Sequence, residues 1–355
     1  MAGSGTRYPG GINTELYRSA IASIPDLPSP TQYTFGNPDF VPYLATQWTT
    51  TQTNGTAAAY AWNTGVVKLS TTGGSATDAI YLTSLMQCEQ FRANNRNWFS
   101  VAIAIPSTSA TDITFRAGFS DTVNPASATN GILFVKAATG TSVDLQVIKG
   151  GVTTTFQKVA DLARPSGLFG DTTSTVGTMT ANATGTTLTA LTVATTGAGY
   201  QQDPLVVING TAGSGATGRV ELGSAALYNA VVTSAGSGYT AGTFTAEIDH
   251  FIQLCFSYDA RGTLFVGVGN NIVMSVGRQG SISVAAGGTV DTSVSGADSY
   301  VVSTQLASGM TYLPVAGDFM NMAPLVNMYP AVGYVGTTAN ARALYIDQLN
   351  YAGEY

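Results

Sequence analysis

A two-residue rhythm constrains this chain more than any other feature. In Phe99-Ser100-Val101-Ala102-Ile103-Ala104-Ile105 the large apolar side chains take the odd positions and small residues take the even ones. That is the period of a β-strand, whose successive side chains point to opposite faces. The odd face must be buried, and the even face is small enough for a second layer to approach closely. Val143-Asp144-Leu145-Gln146-Val147 keeps the period with polar residues outward, and Ala343-Leu344-Tyr345-Ile346-Asp347-Gln348-Leu349 alternates near the end of the chain. Short β runs at Ala57–Ala61, Val66–Ser70, Ala79–Leu85, Ile113–Phe119 and Gly131–Lys136 are separated by Gly, Asn and Asp turns. Such strands predict an all-β fold in which two antiparallel sheets stack as a sandwich.

Further along, Phe251–Tyr258 and Thr263–Val268 flank the turn Asp259-Ala260-Arg261-Gly262, which predicts a hairpin. Met328–Val335 and Arg342–Tyr351 supply two closing strands, and the Gly/Ser/Val-rich stretch 279–300 reads as a loop or small projecting hairpin. Residues 172–248 differ, being dominated by Thr, Gly and Ala. There Val193-Ala194-Thr195-Thr196-Gly197-Ala198-Gly199-Tyr200 matches Val232-Thr233-Ser234-Ala235-Gly236-Ser237-Gly238-Tyr239, with the tyrosines 39 positions apart. A short internal duplication is expected, in which the glycines make a tight turn and the tyrosine packs back over it. Leu205–Ile208 and Gly218–Leu222 read as strands between the two endings. No helix follows either Gly-x-Gly, so neither is a phosphate loop.

The first 43 residues are irregular, because Pro9, Pro25, Pro28, Pro30, Pro38 and Pro42 break any long helix. They nevertheless carry Tyr8, Leu16, Tyr17, Ile21, Ile24, Tyr33, Phe35 and Phe40, too many apolar side chains for a solvated tail. An extended arm lying on a partner or on its own body is expected. The organisation is then an arm (1–43), a first part of the sandwich (44–171), an inserted module (172–248) and a second part of the sandwich (249–355).

Only 10% of the 355 residues are charged, against roughly 25% in ordinary soluble domains. A surface covered by hydroxyls and amides suits a chain that rests against neighbours. Nucleic acid is excluded as a partner by the net charge of -6 and a total of 14 Lys and Arg without a basic stripe. The start of the chain lacks a secretory signal and no stretch approaches a membrane span, so synthesis in the cytoplasm without a membrane partner is expected. Cys88 and Cys255 lie in apolar, strand-like contexts and read as buried free thiols, although a disulfide stays open.

The strands at 98–149, the hairpin Phe256-Ser257-Tyr258-Asp259-Ala260-Arg261-Gly262-Thr263-Leu264-Phe265-Val266 and the closing Ala343–Leu349 together resemble the concanavalin A-like jelly roll of tailed-bacteriophage virion proteins. The Gly-x-Gly-Tyr segments, with Gly213-Ser214-Gly215-Ala216-Thr217-Gly218, resemble a small β module inserted into phage capsid-decoration, fibre and tail proteins. The resemblance implies a virion structural protein displayed on the particle exterior, such as a decoration or cement protein. It further implies contacts with the major capsid protein or other virion subunits and assembly as a homotrimer; the jelly-roll family also includes glycoside hydrolases, and it is the sparse chemistry of this chain's residues that predicts neither enzymatic activity nor a cofactor. The alternative it leaves is a fibre or tail adhesion protein that binds a surface glycan or receptor.

Candidate chemistry is sparse. The alternating acidic pair Glu247 and Asp249, beside the sole histidine, His250, is the one arrangement with glycosidase-like spacing, and it reads as a polar junction between module and sandwich. One histidine must serve any Ser or Cys nucleophile, and no nucleophile elbow is placed between a strand and a helix. Asp121, Asn124, Asp259, Asp291 and Asp298 form no dense acidic loop, so no metal site is expected. For a glycan, Trp62 and Asn95 in the Asn94–Asn97 loop are the candidates, while Trp48 is a further aromatic and Trp98 reads as core. The run Met320–Met328, interrupted by Pro324 and including Met322, is a candidate subunit interface because methionine adapts to contact surfaces. For the arm, Tyr8, Leu16, Tyr17, Ile21, Tyr33, Phe35 and Phe40 are the candidate partner contacts.

Overall fold

The computed structural model describes residues 33–36, 45, 48–59, 65–84, 89–90, 97–208, 212–258, 264–276, 281–284, 313–314 and 327–354. Every strand pair among them is antiparallel. One sheet of ten strands runs, edge to edge, Leu313–Pro314, Ser281–Val284, Asn271–Val276, Leu264–Val268, Ile252–Tyr258, Asn97–Ala104, Arg342–Glu354, Val67–Thr71 and Gly55–Ala59. The tenth strand, Tyr33–Gly36, pairs with Tyr351–Glu354. The second sheet, of eight, runs Val152–Asp161, Ser142–Lys149, Gly131–Lys136, Ile113–Ser120, Asn327–Gly336, Ala79–Ser84 and Trp48–Thr53, with Glu89–Gln90 pairing to Asn327 and Met328. Strands distant in sequence lie side by side, as where Asn97–Ala104 is held between Ile252–Tyr258 and Arg342–Glu354. This is a two-sheet jelly-roll sandwich.

The rhythm of the sequence explains the layers. Phe99, Val101 and Ile103 turn inward to the core, as do Leu254 and Phe256 from the next strand. Phe256 stacks on Phe99 with ring centroids 5.4 Å apart, and meets Phe119 and Phe134 of the opposite sheet, each at 5.8 Å. The even positions Ser100, Ala102 and Ala104 face out of the sandwich and are also buried. Trp98 shares that outer side and is half-buried, which corrects its expected place in the core. Met328, expected at a subunit contact, is fully buried between the sheets, because its strand turns that side chain into the sandwich interior. The backbone of Tyr33 and Phe35 is paired within the chain's own sheet, so this piece of the arm lies on its own body, one of the two placements expected. Tyr8, Leu16, Tyr17, Ile21, Phe40, Met320, Met322, Trp62 and Asn95 lie outside the described residues.

The inserted module carries its own core, made by Met179, Ala181, Leu188, Tyr200, Val220, Leu227, Tyr239 and neighbours. Its six strands run Thr187–Thr195, Thr178–Thr184, Gly242–Asp249, Leu205–Val207, Ser214–Gly223 and Ala226–Ser237. The duplication seen in the two endings extends through the whole module. The amide of Gly177 donates to Tyr200 Oη at 2.8 Å and that of Ala216 to Tyr239 Oη at 3.1 Å, both 23 residues upstream. Tyr200 N donates to Ala225 O and Tyr239 N to Thr186 O, each at 3.1 Å, so each copy's glycine loop holds the other copy's hairpin turn. Gly197 and Gly236 share a φ of 61°, and a Cβ there would meet the backbone of Gly177 and of Ala216 respectively. The third strands are exchanged: Leu205–Val207 pairs with the first strand of copy two, and Gly242–Asp249 with the first strand of copy one.

Tyr200→Phe and Tyr239→Phe each leave one buried amide without its acceptor, which costs about 1–3 kcal/mol. The two substitutions are expected to lower the unfolding midpoint by similar amounts in thermal melts; a loss confined to one of them would show that the copies are not equivalent.

Candidate functional site

The junction between module and sandwich is built from residues that leave each unit in turn. Glu247 and Asp249 point away from the module core, since Ala246 and Ile248 pack into it. Their register partners Val207 and Leu205 share that side. Leu205, with Phe251, packs on Ala104 and Tyr345 of the ten-stranded sheet and on Val66, just ahead of its Val67–Thr71 strand. The module is therefore the second layer over the small-residue face of the Asn97–Ala104 strand. Gln202 Nε2 donates to Asp347 Oδ2 at 3.4 Å and Gln201 Nε2 donates to Ser166 O across the same boundary.

Asp249 is 4% exposed and its Oδ2 has no hydrogen-bond partner among the described residues. Burial in the apolar seam pushes its carboxyl up to about 7, and the Glu247 charge adds to the effect. His250 Nε2 donates to Leu162 O at 2.9 Å, and its ring stands edge-on to Tyr200 at 6.3 Å. Burial holds this imidazole below its ordinary range, against the opposing Leu162 hydrogen bond. The linking loop is ordered by Asp171, whose oxygens accept from Ser166 Oγ at 2.7 Å and from Thr173 N at 2.8 Å; these bonds hold its carboxyl well below the usual carboxylate range. Arg164 Nη1 donates to Ser174 O at 3.2 Å. The acidic pair thus lies beneath the module at a largely apolar seam, and Asp249 is out of reach of a polymer in solvent.

A second group of buried charges closes one end of the sandwich. Asp78 accepts from Asn54 Nδ2 and Gly74 N, each at 2.9 Å, and the Asn54 bond leads in holding its carboxyl below the usual range. Lys136 donates to Ala137 O at 2.8 Å and Ile113 O at 3.2 Å; burial pushes its ammonium down to about 8, with Asp112 opposing. Arg342 Nη2 donates to Thr338 Oγ1 at 3.0 Å, and Tyr334 Oη donates to Arg342 O at 3.0 Å. Sequence reasoning missed this cluster, because its members come from five separate stretches of chain and no local pattern joins them.

Of the other candidates, Asp121 accepts from Thr129 and from Asn130 Nδ2, and Asn124 caps the short turn Pro125–Ser127 through Ala126 N. Asp259, Asp291 and Asp298 lie outside the described residues. Among the described residues no group of three or more His, Cys, Asp or Glu gathers as a metal ion requires. Cys255 carries a buried free thiol that burial pushes up to about 12; Cys88 lies outside the described residues. Trp48 is buried in the core. No helix among the described residues is long and apolar enough to cross a membrane.

No family model matches the chain, and no curated protein matches it. Among solved structures, it is similar to a lectin from Bauhinia forficata in complex with GalNAc, at 10% identity and a TM-score of 0.31 over 90% of this chain and 98% of the lectin. It is also similar to a carbohydrate esterase from the Shiga toxin-encoding bacteriophage phi24B, at 7% identity and a TM-score of 0.27 over 87% of this chain and 90% of the esterase. At scores of this size neither neighbour's activity passes to this chain.

The Asp249 carboxyl fixes a pH dependence. In the unfolded chain it ionises near 3.8, and in the folded chain only near 7. Its contribution to stability is therefore greatest below about pH 4, falls as pH rises between the two values, and stays low above about 7. Asp249→Asn removes the buried charge and is expected to stabilise the protein at pH 8 by at least about 1 kcal/mol and to change little at pH 4. Denaturant titrations at the two pH values measure the difference.

Proposed function

We propose that this chain is a non-enzymatic structural subunit of a tailed-phage particle, a decoration or cement protein held on the shell by subunit contacts. The observation that carries the reading is where the few charges go. Asp78 and Lys136 are 0% exposed, Arg342 3% and Asp249 4%, so a chain already poor in charge withdraws part of it from the surface. What faces outward is largely Thr, Ser, Ala and Gly, above all on the module strands Thr178–Thr184 and Thr187–Thr195. An exterior of this kind suits burial against neighbouring subunits, where unpaired charges would be costly to desolvate. The packing of the module against the sandwich supports the same reading, since a subunit that clamps others gains from presenting one preformed shape.

On this reading the arm and one face of the sandwich bury surface between shell subunits, three copies associate, and separation of the shell requires more free energy. The test adds purified protein to particles that lack it. Full-length protein is expected to co-sediment with the particles and raise their disruption temperature, whereas a chain without residues 1–32, cut ahead of the Tyr33–Gly36 strand, is expected to fold but not to attach. Equal attachment of the shortened chain would remove the arm from the mechanism. Failure of the full-length chain to attach or to stabilise would reject the proposal as a whole.

A further inference from the structure

The two copies in the module share a scaffold and differ on one outward face, and the difference identifies a site. Both hairpins bulge at the same point. In copy one the register steps between Asn182 and Ala183, leaving Thr189 unpaired; in copy two it steps between Glu221 and Leu222, leaving Tyr228 unpaired. Thr189 Oγ1 donates to Asn182 O at 3.1 Å, so its side chain closes back on its own hairpin. Tyr228 does not close back and is 77% exposed, with Val231 beside it on the same strand. The ring base stands over Gly223, where a Cβ would lie 3.0 Å from Tyr228 Cβ.

The polar neighbours of Tyr228 are also specific to copy two. Arg219 Nη2 and Glu221 Oε1 are 2.9 Å apart, and Asn229 Nδ2 donates to Glu221 Oε2 at 3.3 Å. Thr217 and Thr233 continue the row with their hydroxyls 2.6 Å apart. In copy one the positions of Arg219, Glu221 and Asn229 are held by Thr180, Asn182 and Ala190. The charged residues between 172 and 246 are Asp203, Arg219 and Glu221, and Asp203 Oδ1 accepts from Leu222 N at 3.2 Å, so all three gather at this one hairpin.

We infer that the outward face of the Ser214–Gly223 and Ala226–Ser237 hairpin is a binding site for a neutral oligosaccharide, with Tyr228 as its stacking platform. A pyranose presents an apolar C–H face that suits an exposed ring, and adjacent hydroxyls that suit a carboxylate and a guanidinium already paired. Arg219 and Glu221 compensate each other, which favours an uncharged ligand. From Thr217 to Glu221 along the strand is about 13 Å and the pair of strands is about 10 Å wide with its side chains. A patch of that size holds one or two sugar rings but falls far short of the roughly 800 Å² that each partner buries in a stable protein interface. This inference stands apart from particle attachment, and either can fail without the other.

The experiment exposes the full-length chain to an array of defined neutral and acidic oligosaccharides, then titrates the strongest binder calorimetrically. Retention of a neutral oligosaccharide is expected. Tyr228→Ala and Glu221→Gln are each expected to weaken it at least tenfold, and Thr189→Ala, the matching change in copy one, to leave it within twofold. Both changed residues of copy two are at the surface, so melting curves confirm that the fold survives. The inference is overturned if no oligosaccharide is retained, if acidic ones are preferred, or if binding is indifferent to Tyr228→Ala. It is equally overturned if Tyr228→Ala abolishes attachment to particles while sugar binding persists, which would make the face a protein contact.

Discussion

Everything in this molecule depends on the meeting of two sheets across a phenylalanine cluster. Phe99 and Phe256 enter from the ten-stranded sheet, Phe119 and Phe134 from the eight-stranded one, and the rings approach within 5.4 to 5.8 Å in stacked, tilted and edge-on arrangements. Rings at such distances fix the spacing and the angle between layers more narrowly than aliphatic side chains do. Because a strand has two faces, a spacing fixed on one side determines what can happen on the other. The outward positions Ser100, Ala102 and Ala104 are small, and that is what lets the module settle close enough to bury Leu205 and Phe251 against Ala104 and Tyr345.

That docking has an electrostatic consequence. A seam lined by Leu205, Val66 and Phe251 offers Asp249 Oδ2 no hydrogen-bond partner among the described residues, while the end of the sandwich does offer partners to Asp78 and Lys136. The contrast is one of hydrogen bonding: the same kind of charge is comfortable where backbone and amide groups are aimed at it and uncomfortable where methyl groups are. The outer surface is left to hydroxyls, and the hairpin bearing Arg219, Glu221 and Tyr228 stands out against that plain background.

The sandwich was legible because its signal is local. Alternation in Phe99–Ile105, Val143–Val147 and Ala343–Leu349 needs only a few consecutive residues to declare itself, and the hairpin strands Ile252–Tyr258 and Leu264–Val268 pair as their periodicity indicates. The strand Trp48–Thr53 escaped notice because four of its six residues are threonine, which carries no inward-outward contrast. The module and its repeated endings were legible, but the full reach of the duplication escaped for a related reason: between copies only Thr178/Thr217, Leu188/Leu227, Val193/Val232 and the Gly-x-Gly-Tyr endings coincide between residues 177 and 239, so the shared backbone is written in very few side chains. Of the candidate sites, the Glu247–Asp249–His250 junction could be read from spacing and position along the chain. The buried end cluster and the Tyr228 face could not, since the first depends on residues brought together by the fold and the second on comparing two bulges.

The exchange of third strands has a meaning for how the chain is made. As residues emerge from synthesis, the strand Thr178–Thr184 exists long before Gly242–Asp249, the strand that will cover its flank. For that interval it presents an open edge, and an equivalent strand from a second molecule fits it as well as the chain's own. What keeps the swap internal is that the links 208–213 and 238–241 reach far enough yet hold each third strand at high local concentration near its target. Shortening either link until it no longer reaches would leave the same ladder to be completed only between two molecules, knitting a pair through one another without altering a single ladder hydrogen bond.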